Sequence, residues 1–231
     1  MRRNLYDYID SAIFRKLSRA WEGERVPATP GNTIDLITFD LGNVLVRVDH
    51  LEFCRRLASL AGTSPEAVFN EVFASDLEPG FDTGKIAAQE FFAEITAKFQ
   101  VSLPFATFCE WWNSIFAPMP EMGPVVEHLA GRYPLFLLSN TNALHFQYIR
   151  EQYPFLDSFT RFILSYEVGS RKPEPEIYRH LIHQAKKPPA RILFIDDKLP
   201  FVEAARDQGL QAWQFTGRDR LVQQLQEVGV W

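Results

Sequence analysis

The chain has 231 residues, 46% apolar and 23% charged, with 24 Lys and Arg against 29 Asp and Glu for a formal net charge of −5. A chain of this length and composition closes around a buried core, so disordered and collagen-like readings fall away. The weakly acidic balance offers no field for a phosphate backbone and argues against nucleic acid as a partner.

Leu5, Ile9, Ile13, Leu17 and Trp21 recur at every fourth residue and predict an amphipathic N-terminal helix; the stretch from Pro27 to Asn32 reads as a linker, and residues 1–30 are assigned to helix and linker ahead of the core. Its apolar face needs cover, from the body of the chain, from a second copy or from a membrane surface. Asp7, Asp10, Glu22 and Glu24 weaken a targeting role.

A strand is predicted from Asp35 to Asp40, with Gly42 and Asn43 in the turn behind it. From His50 to about Pro118 the spacing is helical, carried by Phe53, Leu57 and Leu60, then Phe91, Phe92, Ile95 and Phe99, then Phe105, Phe108, Trp111, Trp112, Ile115 and Phe116. No strand is read in this block.

Helix and strand patterns then alternate: strands at Tyr133 to Leu138, Phe162 to Leu164, Arg191 to Ile195 and Gln211 to Phe215, with helices between and after them. The first strand and these four make an α/β fold with a parallel five-stranded sheet, covered on both faces. The expected division is an α/β core at 31–49 and 119–231, interrupted by an all-helical insertion at 50–118.

Cys54 and Cys109 form no closely spaced pair, and no apolar run reaches the roughly 18 residues that a spanning helix needs. A reduced, cytoplasmic setting without membrane insertion is the expectation, as a monomer or weak homodimer. The five histidines suggest neither zinc nor a catalytic dyad; His50 reads as the start of the insertion.

In a parallel sheet, ligands gather beyond the C-terminal strand ends, where this chain carries Asp40, Ser139-Asn140 and Asp196-Asp197. Each alone is also an ordinary helix cap or turn residue. Together, two adjacent acids repel unless a cation compensates them, and Asp40 completes an oxygen-rich environment suited to Mg2+. Asp197 has a second reading as an exposed cap, with Asp196 paired to a base. Lys172, stiffened by Pro173, is read as a cation for a phosphate or for the attacking carboxylate, against a solvated loop as the plainer reading for Arg171-Lys172.

These runs, Phe39-Asp40-Leu41-Gly42-Asn43-Val44-Leu45, Leu138-Ser139-Asn140-Thr141-Asn142, Arg171-Lys172-Pro173 and Phe194-Ile195-Asp196-Asp197, resemble the four ordered motifs of the haloacid dehalogenase (HAD) superfamily. The likeness spans most of residues 34–217. The insertion resembles the small cap of subfamily I, with Asp82-Thr83-Gly84-Lys85-Ile86 similar to its substrate-facing loop. Asp40-Leu41-Gly42-Asn43-Val44 is similar to bacterial α-D-glucose-1-phosphate phosphatases.

The resemblance implies a Rossmann-like HAD core with an inserted cap, acting as an Mg2+-dependent phosphatase on a small phosphorylated metabolite. It implies Asp40 as nucleophile through an aspartyl-phosphate, Ser139 on a phosphoryl oxygen and Lys172 stabilising charge. The implied ligands of Mg2+ are Asp40, the Gly42 carbonyl and Asp197, with Asp196 beside them. Asn43, Asn140, Asp82 and Lys85 are the substrate-binding candidates; Trp111, Trp112 and Phe116 read as packing, with one able to meet substrate.

Two departures matter. Gly42 stands where many relatives carry a second Asp that protonates the leaving oxygen, a loss worth about 10²–10⁴ in rate. The cost shrinks for a good leaving group, which favours a sugar 1-phosphate. Phe201 replaces the usual Asp or Asn after the paired acids, so the metal loop needs other support. The alternatives are a catalytically impaired phosphate- or protein-binding regulator and, further off, a 2-haloacid dehalogenase, which requires no Mg2+.

Overall fold

The computed structural model describes residues 34–231; the expected N-terminal helix and linker at 1–30 lie outside them. In chain order the elements are β1 (Leu36–Phe39), β2 (Val46–Val48), α1 (Leu51–Ala61), α2 (Pro65–Val72), α3 (Leu77–Asp82), α4 (Ala88–Phe99), α5 (Phe105–Asn113) and β3 (Phe116–Pro118). They continue as α6 (Gly123–Ala130), β4 (Leu135–Ser139), α7 (Ala143–Gln152), β5 (Arg161–Leu164), α8 (Ser165–Val168), α9 (Pro175–Ala185), β6 (Ile192–Asp196), α10 (Leu199–Asp207), β7 (Gln211–Gln214) and α11 (Arg218–Glu227).

Five strands form one sheet in the order β5-β4-β1-β6-β7, every neighbouring pair parallel. The strands are apolar at nearly every position because the sheet is buried on both faces, while side chains still alternate between them. Ile37, Phe39, Leu135, Leu137, Leu193 and Ile195 pack with residues of α6, α7 and α11. Leu36, Phe136, Leu138, Ile192 and Phe194 pack with residues of α9 and α10 on the other face. β1 is central, so Asp40, just past its end, emerges in the middle of the sheet's C-terminal edge.

Helices α1 to α5 share an aromatic core in which Trp112 lies 5.0 Å from Phe53, 5.5 Å from Phe73 and 4.9 Å from Phe91, centroid to centroid. Such offset and edge contacts add roughly 0.5–1.5 kcal/mol each beyond area burial. The helical reading of residues 50–118 fails at its end. Phe116, counted above as the last apolar position of a helix, begins β3, which pairs antiparallel with β2 through Val46 with Pro118, Arg47 with Ala117 and Val48 with Phe116. The chain therefore leaves for α1 and returns from α5 side by side on this two-stranded ribbon; a three-residue strand is too short for period-two alternation to reveal.

Candidate active site

Asp40 is 7% exposed and Lys172 and Asp196 are 1% and 0% exposed. The Lys172 Nζ donates to Asp40 Oδ1 at 2.7 Å and to Asp196 Oδ2 at 2.5 Å. Burial pulls an ammonium toward deprotonation, but the two carboxylates outweigh it and hold Lys172 above the ordinary lysine value. Asp40 sits in the opposite balance. Burial pushes its carboxyl up to about 7, Lys172 draws it back, and Asp196 and Asp197 push it up again.

Lys172 is held from behind. Asn140 Oδ1 accepts from the Lys172 backbone N–H at 2.8 Å, and Asn140 Nδ2 donates to the Lys172 carbonyl at 2.9 Å. Ser139, 2% exposed, closes β4 beside this clasp and donates weakly to the Asn140 carbonyl at 3.4 Å. The next residue, Thr141, exchanges its N–H and C=O with the Ser165 hydroxyl, both at 2.9 Å, tying the end of β4 to α8.

One ligand oxygen each from Asp40, Asp196 and Asp197 lie within 4.8 Å of one another. Both Asp196 oxygens are engaged, Oδ2 with Lys172 and Oδ1 with the Lys198 N–H at 2.8 Å. Among the described residues Asp40 Oδ2 and the Asp197 carboxylate accept no side-chain bond, so hard oxygen donors remain available. Three carboxylates face one ammonium, an excess of two negative charges when all are ionised, which a single Mg2+ offsets.

The support that Phe201 cannot give comes from elsewhere. Gln214 Nε2 donates to the Asp197 carbonyl at 2.9 Å and the Tyr178 hydroxyl to the Phe201 carbonyl at 2.9 Å. The Phe201 ring instead lies under two ammonium groups, Lys172 Nζ at 5.2 Å and Lys198 Nζ at 5.3 Å from its centroid. Gln214 ends β7 and Tyr178 is internal to α9, so only Gln214 carried a strand-end signal in the sequence.

The other sequence candidates scatter. Gly42 bridges to Val46, and a Cβ on it would lie 3.1 Å from Val48 Cγ2. Asn43 adopts a left-handed φ of 55° and spends its Oδ1 on the Val48 N–H at 3.1 Å, shaping the turn. Lys85 is exposed and without a side-chain partner among the described residues.

Asp82 is 5% exposed and accepts from Asn142 Nδ2 at 3.1 Å. Asn142 also caps α7 by accepting the His145 N–H at 3.0 Å and receives the Trp112 indole N–H at 3.4 Å. His145 contacts the Trp112 carbonyl through Nε2 and Asn142 Nδ2 through Nδ1, both at 3.1 Å, a pattern the neutral Nε2–H tautomer satisfies; burial pulls its pKa down to about 3. Trp112 thus both fills the aromatic core and fastens α5 to the end of β4. Asn142, read within the strand-end run as a helix cap, is that cap, but its bond to Asp82 escaped the sequence reading. So did Glu78 and the side chain of His50, whose Nε2 lies 3.9 Å from Glu78 Oε1.

The haloacid dehalogenase-like hydrolase family model matches residues 34–209. The chain belongs to this family. It is 24% identical over 185 residues to D-ribitol-5-phosphate phosphatase of Bacteroides thetaiotaomicron, covering 77% of this chain and 90% of that protein. It is 26% identical over 189 residues to a sesquiterpene phosphatase of Aspergillus oryzae, covering 80% and 91%. Among solved structures, a HAD family enzyme of Bacteroides thetaiotaomicron aligns with a TM-score of 0.75 and 25% identity over 81% of this chain and 96% of that one. The same enzyme in complex with magnesium and inorganic phosphate aligns with a TM-score of 0.73 and 25% identity, over 80% and 96%.

Proposed function

We propose that this hydrolase is an Mg2+-dependent phosphatase that cleaves a small phosphomonoester through an aspartyl-phosphate on Asp40. The observation that carries the reading is the convergence of Asp40, Lys172, Asp196 and Asp197 at the C-terminal edge of one parallel sheet. The phosphatases among the relatives, and the similar enzyme crystallised with magnesium and inorganic phosphate, support it.

Asp40, the Gly42 carbonyl and Asp197 would hold the cation, with Asp196 kept by Lys172 as a neighbouring acid. Bound Mg2+ would neutralise phosphoryl oxygens and keep Asp40 ionised despite its burial. Lys172 then holds the nucleophilic carboxylate in a fixed orientation and offers positive charge to the transferring phosphoryl group. Ser139 stands at the neighbouring strand end to donate to a phosphoryl oxygen, and Asn140 acts on Lys172 rather than on substrate.

Helices α1 to α5 act as a cap over this edge, excluding water and selecting the leaving group. Gly42 brings no acid to the leaving oxygen, so the substrate that asks least of the motif itself is a sugar 1-phosphate.

The test is a panel of sugar 1-phosphates, sugar 6-phosphates, polyol phosphates, terpenyl phosphates and nucleotides, with Mg2+ or EDTA, repeated with Asp40→Asn. Turnover is expected with Mg2+ only and is lost in the variant. Metal-dependent turnover that survives Asp40→Asn refutes the nucleophile. Binding of Mg2+ and phosphate without any turnover replaces the enzyme with a regulatory binder.

A further inference from the structure

Glu78 is an acid without an assigned task. It lies in α3, one helical turn before Asp82 and therefore on the same face. Its side chain is 18% exposed and makes no hydrogen bond among the described residues; its ion-pair-range neighbour is His50 at 3.9 Å. Burial and Asp82 push its carboxyl up to about 8, against the pull of Arg171 and Lys198. His50 is held neutral, its pKa lowered to about 4 by burial and by Lys198.

These neighbours locate it. Arg171 precedes the lysine that grips Asp40, and Lys198 follows the metal-site acid Asp197. Asp82, on the shared face, is tied to Asn142 three residues beyond Ser139. A Cβ on Gly84 would collide with the Tyr166 carbonyl, so the loop after α3 presses directly on α8. Glu78 thus shares the α3 face whose Asp82 reaches the strand-end residue Asn142.

We propose that Glu78 is the proton donor to the leaving oxygen, the role for which Gly42 has no side chain; this rests on the phosphatase reading above. In an in-line displacement the leaving oxygen lies on the far side of phosphorus from Asp40, which is the cap side. An Asp40 oxygen forms the bond to phosphorus and the ester P–O bond breaks. Its electron pair stays on the leaving oxygen, which takes the Glu78 proton and departs as the alcohol. In the second step water enters from the same side and gives a proton to the Glu78 carboxylate. Its oxygen bonds to phosphorus, the P–O bond to Asp40 breaks, and phosphate leaves with both carboxyl groups restored. A donor of this kind extends the substrate range from sugar 1-phosphates to alkyl phosphates, the class to which D-ribitol 5-phosphate belongs.

Glu78→Gln keeps the shape and neutrality of the protonated acid, so the fold is expected to survive, as thermal melting will report. For the alkyl phosphate the native chain turns over fastest, the variant's kcat is expected to fall by about 10²–10⁴. With p-nitrophenyl phosphate, whose leaving group needs no proton, it should release p-nitrophenolate in a burst at the native rate. Slow turnover then follows, because the second step lacks its base. Adding Gly42→Asp to Glu78→Gln should recover alkyl turnover. A p-nitrophenolate burst slowed as much as alkyl turnover, unchanged alkyl turnover, or a native chain that hydrolyses the aryl ester or sugar 1-phosphates but no alkyl phosphate would each overturn the proposal. A native chain that hydrolyses no member of the panel with Mg2+, sugar 1-phosphates and p-nitrophenyl phosphate included, brings down the phosphatase reading itself and this role with it.

Discussion

The side-chain amide of Asn140 binds the main chain of Lys172 from both sides, its oxygen accepting the Lys172 N–H and its nitrogen donating to the Lys172 carbonyl, across 32 residues of sequence. The clasp aims the ammonium at Asp40. Asn140→Ala is expected to lower kcat by about 10–100-fold, as loss of a supporting contact does at metal sites. It should also cost roughly 1–3 kcal/mol in urea unfolding, from stranding two buried backbone groups. A stability loss with unchanged kcat would show that the clasp serves the fold alone.

Lys172 pairs with two buried acids, and removing it leaves both without a cation. Lys172→Ala should destabilise the chain by about 3–5 kcal/mol in EDTA. Saturating Mg2+ should recover part of that loss, because the cation takes over the charge. Urea titrations of native and variant chains in EDTA and in Mg2+ check both parts, and an Mg2+-insensitive loss would separate Lys172 from the metal site.

Proton and cation compete at Asp40. Its carboxyl, raised to about 7 in the absence of metal, must release a proton to bind Mg2+ below that pH. The affinity for Mg2+ is therefore expected to fall by up to about tenfold per pH unit below 7 and to level off above it. Calorimetric titration between pH 5.5 and 8.5 in buffers of different ionisation enthalpy reports the affinity and the proton release together.

Without metal, stability should fall between pH 6.5 and 8.5. Asp40 and Glu78 have folded pKa values of about 7 and 8, above their unfolded values, so the folded state binds more protons in this window and loses stability as pH rises. His50 and His145, depressed to about 4 and 3, oppose this only below their ordinary value near 6.5, where the unfolded state holds more protons. Melting temperatures in EDTA across the window give the slope, and Glu78→Gln should flatten its upper part.

Gln214 carries part of the support that Phe201 does not, through its bond to the Asp197 carbonyl. Gln214→Ala should weaken Mg2+ binding by about tenfold with little change in melting temperature in EDTA. An unchanged affinity would shift that support to Tyr178 and its bond to the Phe201 carbonyl.

Asp40, Ser139, Asp196 and Asp197 were legible because each sits at or just beyond the end of an apolar strand, a position that short-range pattern fixes. The five-stranded parallel sheet was legible for the same reason: both faces are buried, so its strands are apolar runs separated by helical periods. Lys172 was visible through Pro173 as a cation for the attacking carboxylate, and Asp196 as an acid paired to a base; that one ammonium serves both was not.

What only the tertiary structure decided are the pairings between distant segments. Asn142 meets Asp82 across 60 residues, Asn140 meets Lys172 across 32, and Glu78 comes to the site on a helix of six residues with no motif of its own. β3 likewise exists only because β2 lies beside it. Backbone preference and hydrophobic period act over a few neighbouring residues. The choice of which polar groups face one another depends on how two packed layers seat together, where each buried donor and acceptor must find its partner.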